Sequence, residues 1–493
     1  MKNKKVKMND ETKKLIKSHK KQKEKAPSFP AWCYIDENDN DKVKVNIVSL
    51  GKLIQKEHNY LFITNKDKET PYEYNDQMGY WSPIPKGAIS KAIHDKLASA
   101  GKWTSQNQKK TYDFINSGIP RKQFNDTIGK QPKMAFNFLN GVYNWNTGQL
   151  EPHKKEYYFE GCTDYSLDMS NNKTPETDKY FKLLLGENAK TMMEFIGYSF
   201  YPSYEPIQCL MILKNEGGDG KTWLTNHIIN SLLEKNNVSN ISLDQLADEK
   251  NNKFKPAELF HKHINISSEL GEDESVLLST APLKKYTGND WINADKKGKN
   301  DIHFQNYAKL LIITNTLVHF RDDSRGFSRR VYIMPAHKIP DFEHTIDENK
   351  IKAERGAFAY KCIQLAKDAM KHHALTKTSS INQLVNNWML DNDPVQQFIN
   401  ECVDTMQNEK ARALDVYQAW INWCGENKYN PLGKTNFKNK MIKKGFNYHE
   451  ERKRDQEGKM LPREYYFLNM KLNENANPKG RHNPVVNNFG FNK

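Results

Sequence analysis

The amino-acid sequence predicts a multidomain chain built on a parallel α/β core, with an α+β region before it and a smaller basic region after it. Three observations carry this. At 493 residues the chain is too long for one ordinary domain, and two to four are expected. From about residue 176, short apolar runs alternate with helical periodicity, the mark of a parallel sheet. One strand-to-helix turn is rich in glycine, at Gly217, Gly218 and Gly220, which lets a backbone approach a ligand closely.

The elements follow in order. Residues 1–28 are lysine-rich with few apolar positions and read as a disordered or partly helical arm. Order is expected from Pro30-Ala31-Trp32. Ala135–Trp145 reads as two short strands around the Asn140-Gly141 turn. Tyr180, Leu183, Leu184, Met192, Met193, Phe195 and Ile196 follow a helical pattern. A buried strand is expected at Cys209–Leu213, then the glycine turn, then a helix through Leu224, Ile228, Ile229 and Leu232. Strands are predicted at Ile264–Ile266 and Leu310–Thr314, and one helix over 355–372. Asp391-Asn-Asp-Pro394 looks like a linker opening another domain. The stretch from about Asn473 is rich in Asn, Pro and Gly and is expected to be disordered.

Composition narrows the class. Hydrophobic residues make up 37% of the chain, and no apolar stretch approaches the roughly 20 residues that a membrane span needs. The lysine-rich start lacks the apolar core of a secretory signal, so a cytoplasmic place is expected. The 75 basic against 60 acidic residues leave a formal +15. That surplus suits a polyanionic partner, although base-composition bias would also enrich Lys, Asn, Ile and Tyr. Six scattered cysteines form no CxxC pair, so neither a zinc site nor a redox dithiol is expected.

Asn215-Glu-Gly-Gly-Asp-Gly-Lys-Thr222 lies between the predicted strand and helix. A helix N-terminus offers free N–H groups and a positive dipole end to phosphate. In such a loop Gly217, Gly218, Asp219 and Gly220 cradle the phosphates. Lys221 reaches the β- and γ-phosphates, and the Thr222 hydroxyl holds Mg²⁺. The usual first glycine is Asn215 here, a residue that tolerates left-handed backbone. The expected cofactors are ATP and Mg²⁺. Hydrolysis also needs a carboxylate on a neighbouring strand, for which Glu269 is the candidate, as Mg²⁺ ligand or water-polarising group. Asn315 ends an apolar strand and could orient the attacking water. Arg325, Arg329 and Arg330 follow, and an arginine from one subunit can stabilise charge developing in its neighbour's site.

Taken in order, these motifs resemble superfamily 3 helicases, in particular the poxvirus-type and phage-satellite primase–helicase family. Thr287-Gly-Asn-Asp-Trp-Ile-Asn-Ala294, Lys296-Lys-Gly-Lys299 and Lys309–Asn315 look like the stretch before that family's sensor asparagine. Gly326–Pro335 looks like its arginine-finger segment, with Arg330 in the finger position and Arg329 beside it. Asn140–His153 is similar to the signature of its N-terminal accessory domain. Pro394–Phe398, Tyr417–Cys424 and Tyr465–Phe467 are similar to its winged-helix end. The family usually carries paired acids where Ser268-Glu269 supplies one. The resemblance implies an AAA+ motor core, a hexameric ring that tracks single-stranded DNA, typically 3′ to 5′, and a role at a replication origin like that of initiators of staphylococcal-type pathogenicity islands. The segment before the accessory signature shows no primase-like acidic pair, so a separate primase is a possible partner.

On this reading the domains run 1–28 (arm), 29–175 (accessory), 176–340 (motor), 341–390 (helical lid), 391–472 (winged helix) and 473–493 (tail). Trp291–Ala294 and Ile302–Phe304 read as a β-hairpin whose tip carries Lys296, Lys297 and Lys299. In the resembled family that hairpin grips phosphates inside the ring, and Lys299 falls at the usual lysine position. Near the C-terminus, Leu414, Tyr417, Ile421 and Cys424 share one helical face. A basic helix follows over about 434–444, with Lys438, Lys440, Lys443 and Lys444 as candidate contacts to duplex DNA and Gly445 as its cap. Arg452 and Arg454 extend that surface on a charged hairpin. The order of helix, basic helix and hairpin suits duplex DNA recognition. Two other readings compete: an NTP-regulated origin-binding protein without processive unwinding, and a small-molecule kinase, which leaves the basic tail domain unexplained.

Overall fold

A computed structural model of the chain describes residues 29–130, 134–214, 223–248, 251–267, 279–295, 302–317, 325–427, 429–452, 454 and 460–476. The basic arm, the tail beyond 476, the phosphate loop, Glu269 and the lysine-bearing hairpin tip lie outside these residues. The chain divides into two compact units, Met1–Pro132 with Asn137–Asn144 and Gly148–Asp164, and Lys133–Phe136 with Trp145–Thr147 and Tyr165–Lys493.

In the first unit, β1 (Cys33–Asp36) pairs with β2 (Lys42–Val45). Helix α1 (Ile47–Glu57) follows, capped by Asn46, whose side-chain oxygen accepts from Ser49 N at 2.9 Å. Strands β3 (Asn59–Asn65), β4 (Lys68–Asn75) and β5 (Tyr80–Pro83) precede helices α2 (Ala88–Ser99) and α3 (Ser105–Gly118) and strand β6 (Arg121–Gln123). The sheet order is β5-β4-β3-β6. Strand β3 is apolar on both faces. Tyr60 and Phe62 join a core with Leu50, Ile54, Ile89, Ile93, Leu97 and Ile115 of the three helices. Leu61 and Ile63 face the other way, against Tyr74, Trp81 and Ile128. The period-2 alternation of a strand thus splits one apolar run between two cores. The strands expected around Asn140-Gly141 form as β7 (Ala135–Phe138) and β8 (Gly141–Asn144), and β8 pairs with β9 (Gln149–Glu151).

The second unit opens with α4 (Pro175–Leu185) and α5 (Ala189–Ser199). Its sheet holds β10 (Leu210–Lys214), β11 (Val238–Ser239), β12 (Ile264–Ser267), β15 (Lys309–Thr314) and β16 (Val331–Pro335), all parallel, in the order β11-β12-β15-β10-β16. Between β12 and β15 the chain forms an antiparallel hairpin of β13 (Trp291–Ala294) and β14 (Ile302–Gln305), on the predicted strands. The central strands are short, continuous apolar runs, as burial on both faces demands. The predicted single helix is α11 (Glu348–Lys371), which lies along α5. A Cβ built on Gly197 of α5 would stand 1.9 Å from Cys362 O of α11, so only glycine permits that approach. The Glu354 carboxylate of α11 accepts from Glu176 N, Thr177 N and Thr177 Oγ1 at 2.6–3.1 Å. It thereby caps the α4 N-terminus with negative charge.

The C-terminal segment begins where Asp393 accepts from Gln396 N at 3.2 Å and Pro394 starts α13 (Pro394–Cys402). There follow β17 (Val403–Arg412), α14 (Ala413–Glu426), α15 (Lys434–Lys443), β18 (Tyr448–Glu451) and β19 (Glu464–Leu472), with sheet order β17-β19-β18. Its core comprises Val395, Phe398, Val416, Trp420, Trp423, Phe437, Met441 and Phe467. The expected face of α14 is corrected by this packing. Leu414 is exposed, and Tyr417 and Ile421 are only partly buried, because the two tryptophans turn the helix onto Val416, Trp420, Trp423 and Cys424. Gly445 has φ +98°, as its predicted capping role requires.

At the foot of β15, Lys309 is wholly buried. Its ammonium donates to Tyr201 O (2.7 Å), Tyr307 O (2.8 Å) and Ser203 O (3.1 Å). It also lies 4.2 and 4.7 Å from the ring centres of Tyr198 and Tyr204. Burial pulls Lys309 down from 10.5 to about 7. Between those pH values the unfolded chain binds the extra proton, so this group's contribution to stability rises as pH climbs from about 7 towards 10.5 and is lost as pH falls through about 7. Lys309→Met would strand three buried carbonyls at ~1–3 kcal/mol each. We expect a lower urea midpoint at neutral pH and a flatter stability–pH curve above pH 7. An unchanged midpoint would contradict this account.

Candidate nucleotide site and nucleic-acid surfaces

Three parallel strands end side by side. In register, Lys214 at the end of β10 faces Thr314 at the end of β15, and Ser267 at the end of β12 faces Ile312. Strand β10 lies between β15 and β16, where the chain crosses from one half of the sheet to the other. Crevices at the carboxyl ends of strands beside such a crossing are where open α/β sheets bind ligands. The segment Asn215–Thr222 leaves β10 there, Glu269 comes two residues after β12, and Asn315 comes directly after β15.

The chain past the glycine segment re-enters helix at Trp223, through wide π-type turns at Leu224–Ile229 and then α6 (Asn230–Leu233). Such turns recur at functional sites. The Trp223 indole lies parallel to His227 at 5.2 Å and meets Tyr180 at 4.7 Å. Its Nε1–H donates to Glu348 Oε1 at 2.6 Å. These contacts fix the helix start to α4 and α11.

Asn315 is exposed at its strand tip. Beside it, Thr314 Oγ1 donates to Thr316 O at 2.6 Å and tightens the turn. The two neighbouring arginines differ sharply. Arg330 is half-buried, and its Nη1 donates to Lys284 O (2.6 Å) and Thr287 Oγ1 (3.1 Å), at the end of α8 (Thr280–Tyr286). Its Nε is buried without a partner, and burial with Arg329 nearby lowers its pKa. Arg329 is exposed and touches Gln208 Oε1 at 3.3 Å. Arg325 lies at the start of α9 (Arg325–Ser328).

On the β13–β14 hairpin the exposed rings of Trp291 and His303 stack at 4.4 Å, 4° from parallel. Cross-strand neighbours of this kind stabilise a hairpin, and they leave an aromatic face in solvent below the lysine-bearing turn. On α15, Phe437 and Met441 are buried, while Lys434, Asn436, Asn439 and Lys443 are exposed. Lys438 is half-buried, with its ammonium 5.2 Å from the Tyr448 ring centre; Lys440 is half-buried on the same helix. Lys444 differs, since its ammonium pairs with the nearly buried Asp393 at the start of α13. Arg452 and Arg454 are exposed beyond β18.

Sequence reasoning missed the Trp223 brace, the Trp291–His303 stack and the Arg330 anchor. Only the stack had a sequence signal, because Trp291 and His303 fall opposite each other's neighbours in a hairpin of known turn. Among the described residues no group of three His, Cys, Asp or Glu side chains could hold a metal ion. None of the described helices is long and apolar enough to cross a membrane.

Residues 53–187 match the family described as D5 N terminal like. Residues 213–330 match a family of unknown function, DUF5906, and residues 390–474 match the family described as poxvirus D5 protein-like. No curated protein matches the chain. Among solved structures, the apo C-terminal region (305–718) of NrS-1 is 14% identical, covering 86% of this chain and 99% of that one, with a TM-score of 0.49. A further structure, the A form of the NrS-1 C-terminal region, is 15% identical over 77% of this chain and 79% of that one, at 0.46. JCV helicase is 11% identical over 45% and 63%, at 0.26. D5-type sequence thus lies on both sides of the parallel sheet, over residues 53–187 and 390–474.

Proposed function

We propose that this chain is an ATP-dependent DNA helicase and replication initiator, assembled as a ring and directed to origin DNA by its C-terminal segment.

 The observation that carries this reading is the meeting of the β10, β12 and β15 ends at one sheet edge. From those ends issue a phosphate-loop sequence, a lone glutamate and an asparagine. The donor chemistry fits a magnesium nucleotide: backbone N–H groups and Lys221 for phosphate, the Thr222 hydroxyl and the Glu269 carboxylate for the metal. ATP supplies the free energy when bound. In this reading Glu269 polarises the attacking water and Asn315 orients it.

The arginines support the ring, since an exposed guanidinium there could stabilise charge in a neighbour's nucleotide. The exposed Arg329 suits that reach better than Arg330, whose guanidinium is held by Lys284 O and Thr287 of its own chain. We assign Arg329 the trans contact and Arg330 the task of fixing β16 to α8. A hexamer and 3′ to 5′ tracking belong to the same reading. DNA in the ring would meet Lys296, Lys297 and Lys299 and the Trp291–His303 face. The order helix–strand–helix–helix–strand–strand over 394–472 supports a winged helix, with α15 and its exposed Lys443 turned to duplex DNA and Arg452 and Arg454 on the wing. Lys438 and Lys440 would contribute from the helix flank, whereas the ion pair with Asp393 takes Lys444 out of that set.

Unwinding of a forked duplex tests the motor. Wild-type chain should separate the strands with ATP, and Lys221→Ala should abolish both hydrolysis and separation. Hydrolysis without separation, together with intact origin footprinting, would favour the regulated origin-binding protein instead. The arginine assignment has its own test. Arg329→Ala and Lys221→Ala, each inactive alone, should regain part of the ATPase activity when mixed, because some shared sites then pair an intact loop with an intact arginine. Arg330→Ala should instead lower the thermal midpoint, as the ~1–3 kcal/mol cost of a stranded carbonyl implies. No recovery on mixing would end the shared-site assignment.

A further inference from the structure

The first unit carries a cleft of about 370 Å³, lined among others by His58, Tyr60, Trp81, Lys122, Lys155 and Tyr158. That volume lies in the range of small-molecule and cofactor sites. Its floor is apolar: Trp81 is buried, and its Nε1–H is already spent on Lys155 O at 2.9 Å. Two sets of rings stand at the walls. His58 and Tyr60 stack at 5.4 Å, 3° from parallel, and Tyr158 lies 6.4 Å from Trp81 at 23°. Tyr158 holds left-handed backbone, φ +53°, a conformation that is costly for a bulky residue and recurs where a side chain must be presented in one direction. Lys122 is exposed at the rim, donates to the Tyr158 hydroxyl at 2.8 Å and lies 5.5 Å from its ring centre. Lys155 supplies a second cation, against Glu156 as the one carboxylate of the lining.

We propose that this cleft binds a nucleotide unit of single-stranded DNA, with the base stacked on the Tyr158 and His58 rings and the phosphate on Lys122 and Lys155. Rings beside cations are the chemistry of single-strand binding. The groups able to read base edges are engaged elsewhere. The Asn59 amide binds Lys155 and Asp76, the His58 ring binds Glu73 at 2.6 Å, and Gln55 donates to Ile115 O at 3.4 Å. Stacking and phosphate contact remain, so binding is tolerant of sequence. The site is separate from the nucleotide site and needs no hydrolysis.

The test uses the full chain, without ATP, and a thymidine oligonucleotide carrying 5-iodouracil. After irradiation, cross-links should map to the peptides holding His58, Tyr60 or Tyr158. They should fall at least about five-fold in Tyr158→Ala and persist in Tyr158→Phe, as loss of a stacking ring predicts. In Lys122→Ala/Lys155→Ala the slope of log affinity against log salt should fall by about 1.4, or 0.7 for each lost phosphate contact. That double variant stays informative if Tyr158→Ala lowers the thermal midpoint. Cross-links confined to residues 279–317 or 394–476, or an unchanged slope in the lysine variant, would overturn the site. Equal competition by thymidine monophosphate and by unlabelled oligonucleotide, at the same nucleotide concentration, would overturn the single strand as its ligand. A chain that fails to unwind a fork can still give the expected cross-links, so the two readings fail separately.

Discussion

The parallel sheet is anchored by a lysine that has no access to water. Lys309 stands at the foot of the central strand β15, and its three N–H groups meet three backbone carbonyls from Tyr201, Ser203 and Tyr307. An ammonium offers three donors, so the match is complete. The two tyrosines beside it continue the network. Tyr204 donates to Ala308 O and accepts from Leu310 N, and Tyr198 donates within the loop that feeds β10. One side chain thus ties together the entries of β10 and β15. Those two strands run in register to the ends from which the phosphate loop and Asn315 leave. The foot of the sheet therefore governs the alignment of its tip.

A second constraint works at the same scale. Helix α5 is buried along most of its length, and Gly197 lets it touch the backbone of α11. Close helix contact leaves little freedom to slide, since interiors are close-packed. The same α11 supplies Glu354 to the α4 N-terminus, and Glu348, at its start, receives the Trp223 indole. So the helix that follows the phosphate loop is braced by a helix more than a hundred residues later in the chain. Sites carried on such braced elements hold their geometry more closely than sites on free loops.

Much of this was legible in the sequence where local pattern and burial agree. Leu310–Thr314 and Cys209–Leu213 are apolar on both faces, and both became central strands to within a residue. The hairpin of Trp291–Ala294 and Ile302–Gln305 was visible because a charged, glycine-bearing turn separates two apolar-alternating runs. The C-terminal helix was found but rotated, because an apolar Leu414 outranks Ala413 on any hydropathy scale while the tryptophans at 420 and 423 decide the packing. Lys309 was invisible as a buried group. A lysine opening a strand ordinarily faces water, and its acceptors are carbonyls, which leave no mark on sequence. The anchoring of Arg330 was invisible for the same reason, its partners being Lys284 O and a threonine far along the chain. Of the candidate site, the order of motifs was readable, but which arginine is held and which is exposed was not.

That last distinction bears on how a subunit interface works. A guanidinium reaching a neighbour's nucleotide must be supported yet not consumed by its own chain. Arg330 spends its Nη1 on two acceptors of the same chain, and its loss would strand a carbonyl. Among the described residues the Arg329 guanidinium has one hydrogen bond, a long one to Gln208, so its own chain holds it less firmly. Gly288 packs directly under this region: a Cβ there would stand 2.6 Å from Lys284 O and 3.5 Å from Arg330 Nη1. The end of α8, the start of β16 and the hairpin that follows Gly288 are therefore one packed body.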